Sequence, residues 1–271
     1  MPSSIRAAID DRHHGDRFAP APWLTWAIER FMAAALFGLG VRKLLTAGFI
    51  PAWEPVAPGA HPALAVVDAL LLMGLAAVAI TGPRRDLAFW GLAGLLAFWI
   101  VVLQGPGLIA APGVVVLWLG VAEVGALVSA SALMALTIAH PHIARSGGRN
   151  AAFIAFGLCC IVFGISHFAY SDFTATMIPA WIPAHTGFAL FTGGAHVAAG
   201  LAIASGVLRR LAAGMLALMM AIFVLVINLP MAVSHGSLMD VTYLLNSCAL
   251  CGSALLVMRT AMGMDSLKYA R

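Results

Sequence analysis

Few side chains in this sequence could do acid–base chemistry within its long apolar stretches. Asp68 and His196 occupy equivalent positions in two of these stretches when the chain is aligned on itself without gaps. A carboxylate beside an imidazole suits proton relay, and ionisable groups in apolar surroundings are costly unless they are paired or hydrated. We therefore predict that Asp68 and His196 face one shared site. The alternative is that each hydrogen-bonds only a backbone carbonyl of its own helix bundle.

Two adjacent cations, Arg42 and Lys43, lie at the end of the first apolar stretch, and Glu54 follows them. In one interpretation their long side chains snorkel to a membrane interface. In the other, they line an outward-facing cavity and bind an anionic or hydrogen-bond-accepting group, such as a sulfur oxyanion or a quinone carbonyl. Glu54 is the natural local counter-ion in either case.

Two further ionisable residues lie within apolar stretches. His167 is close to Tyr170 and Asp172, where it either lines a site or meets interfacial water. Glu123 is in the middle of the fourth stretch without an obvious partner in sequence, and Asn246 is roughly its counterpart later in the chain. We expect Glu123 to be a neutral carboxylic acid that could contribute to a ligand site.

The four cysteines form two pairs. Cys248 and Cys251 have a Cys-x-x-Cys spacing, which places both thiols on one helix face, and Cys159 and Cys160 are adjacent. A dithiol of this kind could reduce a quinone, as intramembrane pairs do in vitamin K epoxide reductases; the alternative is that these residues are small packing groups. No cluster has metal-ligand spacing outside the helices, so we predict no metal site.

The elements that must position these residues are membrane helices. Of the 271 residues, 62% are hydrophobic and only 10% are charged, and the mean hydropathy is +0.98. This composition excludes a water-soluble fold, and a bilayer requires about 20 apolar residues per spanning helix. The sequence predicts an all-α integral membrane protein with spans at 22–44, 62–81, 87–109, 113–139, 151–170, 185–206, 210–233 and 240–260.

Alternate loops carry the basic residues, and the positive-inside rule places these loops in the cytoplasm. They contain Arg6, Arg12, Arg17, Arg84, Arg85, Arg145, Arg149, Arg209, Arg210, Arg259, Lys268 and Arg271. Both termini are therefore predicted to be cytoplasmic, as in a multi-pass protein of a bacterial-type inner membrane. Residues 1–21 contain too little apolar material to fold and are predicted to be a disordered tail rather than a cleavable signal peptide.

An internal repeat divides the chain into two halves. Residues 49–53, Phe-Ile-Pro-Ala-Trp, recur at 177–181 as Met-Ile-Pro-Ala-Trp, and Gln104-Gly-Pro aligns with Asn228-Leu-Pro. Because each half has an even number of spans, the halves must be parallel repeats. We predict a first four-helix repeat at 22–140 and a second at 148–262.

The repeated turns place Trp53 and Trp181 beside prolines between two spans. One interpretation is that both tryptophans are anchors at the membrane interface. The other is that each turn is a re-entrant lip over an outward cavity, where proline frees backbone carbonyls for a ligand.

The second half resembles the DoxX family of small four-helix membrane proteins. The resemblance rests on Phe-Gly-Ile-Ser-His-Phe at 163–168, Ile-Pro-Ala-Trp-Ile-Pro at 178–183, Phe-Thr-Gly-Gly-Ala-His-Val-Ala-Ala-Gly at 191–200 and Arg-Leu-Ala-Ala at 210–213. The first half keeps the Ile-Pro-Ala-Trp turn but has Arg42 and Lys43 near the position of His167.

The resemblance implies a quinone-linked redox or accessory subunit that works with a soluble or periplasmic partner, because some members resemble subunits of thiosulfate:quinone oxidoreduction. No cofactor motif is evident, so a bound quinone or the partner would have to handle electrons. Two alternatives remain: a non-enzymatic carrier or scaffold for a small apolar molecule, and a thiol–quinone oxidoreductase using Cys248 and Cys251. No nucleic-acid-binding surface is indicated, and the lipid bilayer is the expected environment.

Overall fold

The computed structural model describes residues 22–51, 53–55, 59, 61–141 and 146–269. The predicted tail at 1–21 lies outside these residues, as do Arg145 and Arg271 among the predicted cytoplasmic charges. All regular structure in the described part is helical.

Eight helices in the described part are long and apolar enough to cross a membrane. They are α1 (Pro22–Thr46), α2 (Pro62–Thr81), α3 (Arg85–Ala110), α4 (Val115–Ala139), α5 (Gly147–Ala169), α6 (His185–Ser205), α7 (Arg209–His235) and α8 (Leu238–Tyr269). These lengths and compositions confirm the predicted all-α class and are consistent with a multi-pass membrane protein.

The predicted limits differ from the observed ones mainly at helix ends. α5 begins at Gly147 rather than at residue 151, because the Ser146 side chain caps it: Ser146 Oγ accepts a hydrogen bond of 3.2 Å from the backbone nitrogen of Arg149. α8 continues to Tyr269, beyond the predicted limit at 260. Hydropathy locates the apolar part of a helix, whereas caps and polar extensions determine where it ends.

The helices form a ring in which each packs on the next along the chain, and α8 returns to α1. α4 and α8 also pack on each other across the ring. In each of these two helices, 56% of the most apolar stretch is buried inside the protein. In the other spans of the described chain the buried share is 44% or less. The core therefore lies along the contact between α4 and α8.

α5 and α6 approach each other through glycines. A Cβ atom on Gly164 would lie 2.5 Å from the carbonyl oxygen of Gly193, and one on Gly157 would lie 2.5 Å from the carbonyl oxygen of Gly200. Side chains larger than hydrogen cannot be accommodated at these distances. Small residues at such contacts are typical of membrane helices, whose association depends on close packing rather than on exclusion from water.

α3 and α7 each contain one π-helical turn, at Ile100–Gln104 and at Val224–Asn228. A proline follows each turn, Pro106 in α3 and Pro230 in α7. Proline disrupts the hydrogen bonds of the preceding helical turn, so a local change of helix geometry is expected there. In both helices the last residue of the π-helical turn, Gln104 or Asn228, is buried.

At one end of the bundle, which we call the Glu29 end, the carboxylate of Glu29 forms ion pairs with three arginines. Glu29 lies 3.2 Å from Arg85 on α3, 3.8 Å from Arg259 on α8 and 3.9 Å from Arg30, its neighbour on α1. The ends of α1, α3 and α8 that carry these arginines are therefore on the same side of the bundle. The opposite side is called the Lys43 end below.

Candidate functional site

The charged groups at the Lys43 end form a buried ion cluster. Lys43 is only 1% exposed, and its ammonium group pairs with both Glu54 and Asp68, which are also buried. Snorkelling of Lys43 to the interface, one of the two interpretations of its sequence position, is therefore wrong. The side chain instead turns inward, because two carboxylates offer a better environment than the apolar wall of the bundle.

All four carboxylate oxygens of this ion cluster have partners. Besides the Lys43 contacts, the indole nitrogen of Trp99 donates to Asp68 at 2.6 Å, and the backbone nitrogen of Ile50 donates to Glu54 at 2.9 Å. The Lys43 ammonium also lies 5.3 Å from the centre of the Phe49 ring. The cluster thus joins α1, α2, α3 and the segment after α1, and Trp99, which no sequence signal identified, is part of it.

The ion cluster has one cation for two carboxylates. Burial raises the pKa of Glu54, which lies between α1 and α2, and Asp68 raises it further, although Lys43 opposes both effects. With both carboxylates ionised these three side chains carry a net charge of −1, and the guanidinium of Arg42 is a further charge that interacts with Glu54. Glu54 is the carboxyl whose affinity for a proton is raised by these surroundings.

Arg42 holds the segment after α1 against α8. Its Nε donates to the Thr242 hydroxyl at 3.0 Å, and one of its terminal nitrogens donates to the carbonyl oxygen of Phe49 at 2.9 Å. The half-buried guanidinium therefore positions the segment from which Glu54 projects. Its predicted role as a direct ligand to an anion has to compete with these two internal bonds.

Glu123 has the polar partners that the sequence did not reveal. It accepts a hydrogen bond of 3.2 Å from the Trp53 indole nitrogen and one of 3.1 Å from the Asn246 side-chain amide, while the Gln104 amide donates to the Trp53 carbonyl oxygen. Interfacial anchoring by Trp53 is wrong, because this side chain is only 2% exposed. Trp181, in the corresponding turn, is 75% exposed, as an interfacial anchor would be.

His196 meets His167 rather than Asp68. The centres of the two imidazole rings are 5.0 Å apart, and no hydrogen bond or ion pair joins His196 to Asp68 in the described part of the chain. The predicted carboxylate–imidazole relay is therefore not assembled. The two residues belong to separate polar sites, one in each half.

Helix register explains why the predicted equivalence fails. Arg85 and Arg209 begin α3 and α7, and each donates from Nε to the carbonyl oxygen six residues earlier, at 2.9 and 2.8 Å. Counting back from these matched arginines along α2 and α6, Asp68 corresponds to Thr192 and His196 to Leu72. The gapless alignment is displaced by about one helical turn, because only residues 182–184 separate the second Ile-Pro-Ala-Trp turn from α6, whereas residues 54–61 separate the first such turn from α2.

The cysteines are unpaired in the structure. None of the four is in a disulfide, and the Cys251 thiol lies 3.6 Å from the carbonyl oxygen of Ala217 on the neighbouring helix. Cys251 and Cys160 are buried, whereas Cys248 and Cys159 are half-buried. These surroundings agree with a role in packing.

The polar sites differ in the chemistry they allow. The ion cluster can hold or release a proton, the Glu123 site is a hydrogen-bonded carboxylate, and the histidine pair offers ring nitrogens. Among the described residues no group of three or more histidine, cysteine, aspartate or glutamate side chains could hold a metal ion.

Comparison with known proteins gives a partial match. Residues 156–244 match a family described as "Domain of unknown function (DUF8561)". This match covers less than half of the chain and overlaps the segment at 163–213 from which the DoxX resemblance was inferred. No curated protein and no solved structure matches.

Proposed function

We propose that the chain is a DoxX-like inner-membrane protein made of two parallel four-helix repeats, residues 22–140 and 148–262. Three observations support the repeat. Helices pack on their neighbours in the same order in both halves, the third helix of each half contains a π-helical turn before a proline, and Arg85 and Arg209 make the same bond to the preceding helix.

We propose further that the Glu29 end and both termini face the cytoplasm. The grouping of Arg30, Arg85 and Arg259 around Glu29 supports this orientation, because arginines concentrate on the cytoplasmic side. Reporter fusions after Arg85 and Arg210 should report cytoplasm, and fusions after Glu54 and Asp172 should report the opposite side. A single inverted fusion would contradict the two-repeat topology.

In this membrane setting, we propose a quinone-linked redox or accessory role, carried out with a soluble or periplasmic partner protein. The observation that carries the proposal is the buried ion cluster of Lys43, Glu54 and Asp68. Ionisable groups at membrane depth are costly and mark proton pathways and binding sites. Quinone reduction consumes protons, and a carboxyl such as Glu54, whose proton affinity is raised by burial, can supply one. The DoxX-like pattern of the second half supports a quinone in particular.

Mass spectrometry of the protein purified with retained lipids tests this role. We expect the wild-type protein to retain a quinone in excess over the amount carried by an unrelated multi-pass protein purified from the same membranes. Equal amounts in the two preparations would contradict the quinone link. Retention of a different apolar molecule in stoichiometric amount would instead support the carrier or scaffold function.

A further inference from the structure

The histidine pair between α5 and α6 is an unusual polar feature of the second half. His196 is 2% exposed and His167 is half-buried, and their rings are tilted by 37° with centres 5.0 Å apart. The ring centres of Phe163 and Phe223 lie 5.7 and 6.3 Å from that of His196. Two imidazoles thus share a largely aromatic environment.

The backbone fixes which nitrogen of each ring carries hydrogen. His167 Nδ1 lies 2.9 Å from the carbonyl oxygen of Phe163, and His196 Nδ1 lies 2.9 Å from that of Thr192. A carbonyl oxygen only accepts hydrogen bonds, so each Nδ1 must be the donor. In a neutral imidazole the other nitrogen, Nε2, then carries a lone pair and can only accept.

Neither Nε2 has a hydrogen-bond partner among the described residues. The site therefore presents two acceptors close together, and no carboxylate of the described chain is bonded to either ring. An acceptor that has no partner within the protein is stabilised by a donor that reaches it. The aromatic surroundings favour an apolar ring that carries hydroxyl groups over a hydrated ion, because a charge would lose its hydration there.

We propose that His167 and His196 bind the reduced, hydroxyl-bearing form of a quinone in preference to its oxidised form. This inference rests on the proposed quinone-linked function and adds a redox-state preference to it. Each hydroxyl of a hydroquinone can donate to an Nε2 atom. The oxidised quinone has carbonyl oxygens in the same positions, and these cannot donate to a lone pair.

Binding measurements with one short-chain ubiquinone, oxidised or reduced under anaerobic conditions, test the preference in detergent. At pH 8, where histidine is ordinarily neutral, we expect the wild-type protein to bind the reduced form about tenfold more tightly. His196→Phe and His167→Phe should weaken binding of the reduced form about tenfold and leave binding of the oxidised form unchanged. His185→Phe, at a histidine that bonds Pro179 instead, should retain the preference.

A second substitution covers the case in which a phenylalanine variant fails to fold. The amide of His196→Gln both donates and accepts, so this variant should bind the two forms about equally. Equal affinities in the wild-type protein, or a preference that survives in all three site variants, would overturn the histidine site and leave the quinone-linked function standing. Absence of binding for both forms would overturn the two proposals together.

Discussion

Replacing Lys43 by methionine is expected to lower the free energy of unfolding by about 3–5 kcal/mol at pH 8, the range for removing one partner of a buried ion pair. Methionine keeps much of the lysine stem but deletes the ammonium group that pairs with Glu54 and Asp68. The two carboxylates would then have lost the only cation that pairs directly with them in the described part of the chain. Chemical unfolding in mixed micelles, followed by tryptophan fluorescence, measures the loss.

Two further variants isolate the cause of this loss. Arg210→Met removes a cation from an exposed position and should change stability little. The triple substitution Lys43→Met, Glu54→Gln, Asp68→Asn removes all three charges and should recover most of the stability, because no buried charge remains uncompensated. A Lys43→Met protein as stable as the Arg210→Met protein would show that the ion cluster does not matter to the fold.

The contribution of Glu54 to the stability of the wild-type protein is expected to fall as the pH rises above about 4.5, the ordinary pKa of this carboxyl. Burial raises the pKa of this carboxyl in the folded protein, so the folded state keeps a proton that the unfolded state releases in the window between the two values. Unfolding therefore becomes easier with rising pH throughout that window, by at most about 1.4 kcal/mol per pH unit for one proton.

The neutral variant Glu54→Gln should flatten this pH dependence, because it cannot release the proton. Lys43, Asp68 and Arg42 are the charged groups that interact with Glu54, and all three remain in this variant. Glu29→Gln, at the opposite end of the bundle, should keep the wild-type slope. Parallel slopes for the wild-type and Glu54→Gln proteins would contradict the assignment of the exchangeable proton to Glu54.

Hydropathy was sufficient to predict the eight spans, because a bilayer imposes a length and an apolar composition that can be read locally. The pairing of Lys43 with Glu54 was also accessible, since the two residues are separated by a single turn. Trp99, Thr242 and Asn246 could not be assigned in this way. Their contacts with Asp68, Arg42 and Glu123 depend on how distant helices pack, and no local pattern in the sequence encodes that.

Two predictions failed for specific physical reasons. One of the two interpretations of Trp53, an interfacial anchor, rested on the enrichment of tryptophan at membrane interfaces. Its indole nitrogen instead donates to Glu123 inside the bundle. The pairing of Asp68 with His196 assumed that the segment between the repeated Ile-Pro-Ala-Trp turn and the next helix has the same length in both halves. A difference of a few residues in a loop moves every later position around its helix, so a gapless alignment cannot place side chains across it.

The π-helical turn in α3 restricts which mutations this helix can accept. Gly105 bonds back to Ile100 across one residue more than a regular α-helix would allow, so the turn holds an inserted residue. Deleting Val101 or Val102, both exposed, would restore regular hydrogen bonding, but it would rotate the preceding half of the helix against the following one by about 100°. Gln104 could then not donate to the Trp53 carbonyl oxygen while Trp99 donates to Asp68. At positions 101 and 102 one apolar side chain can replace another, whereas the number of residues cannot change.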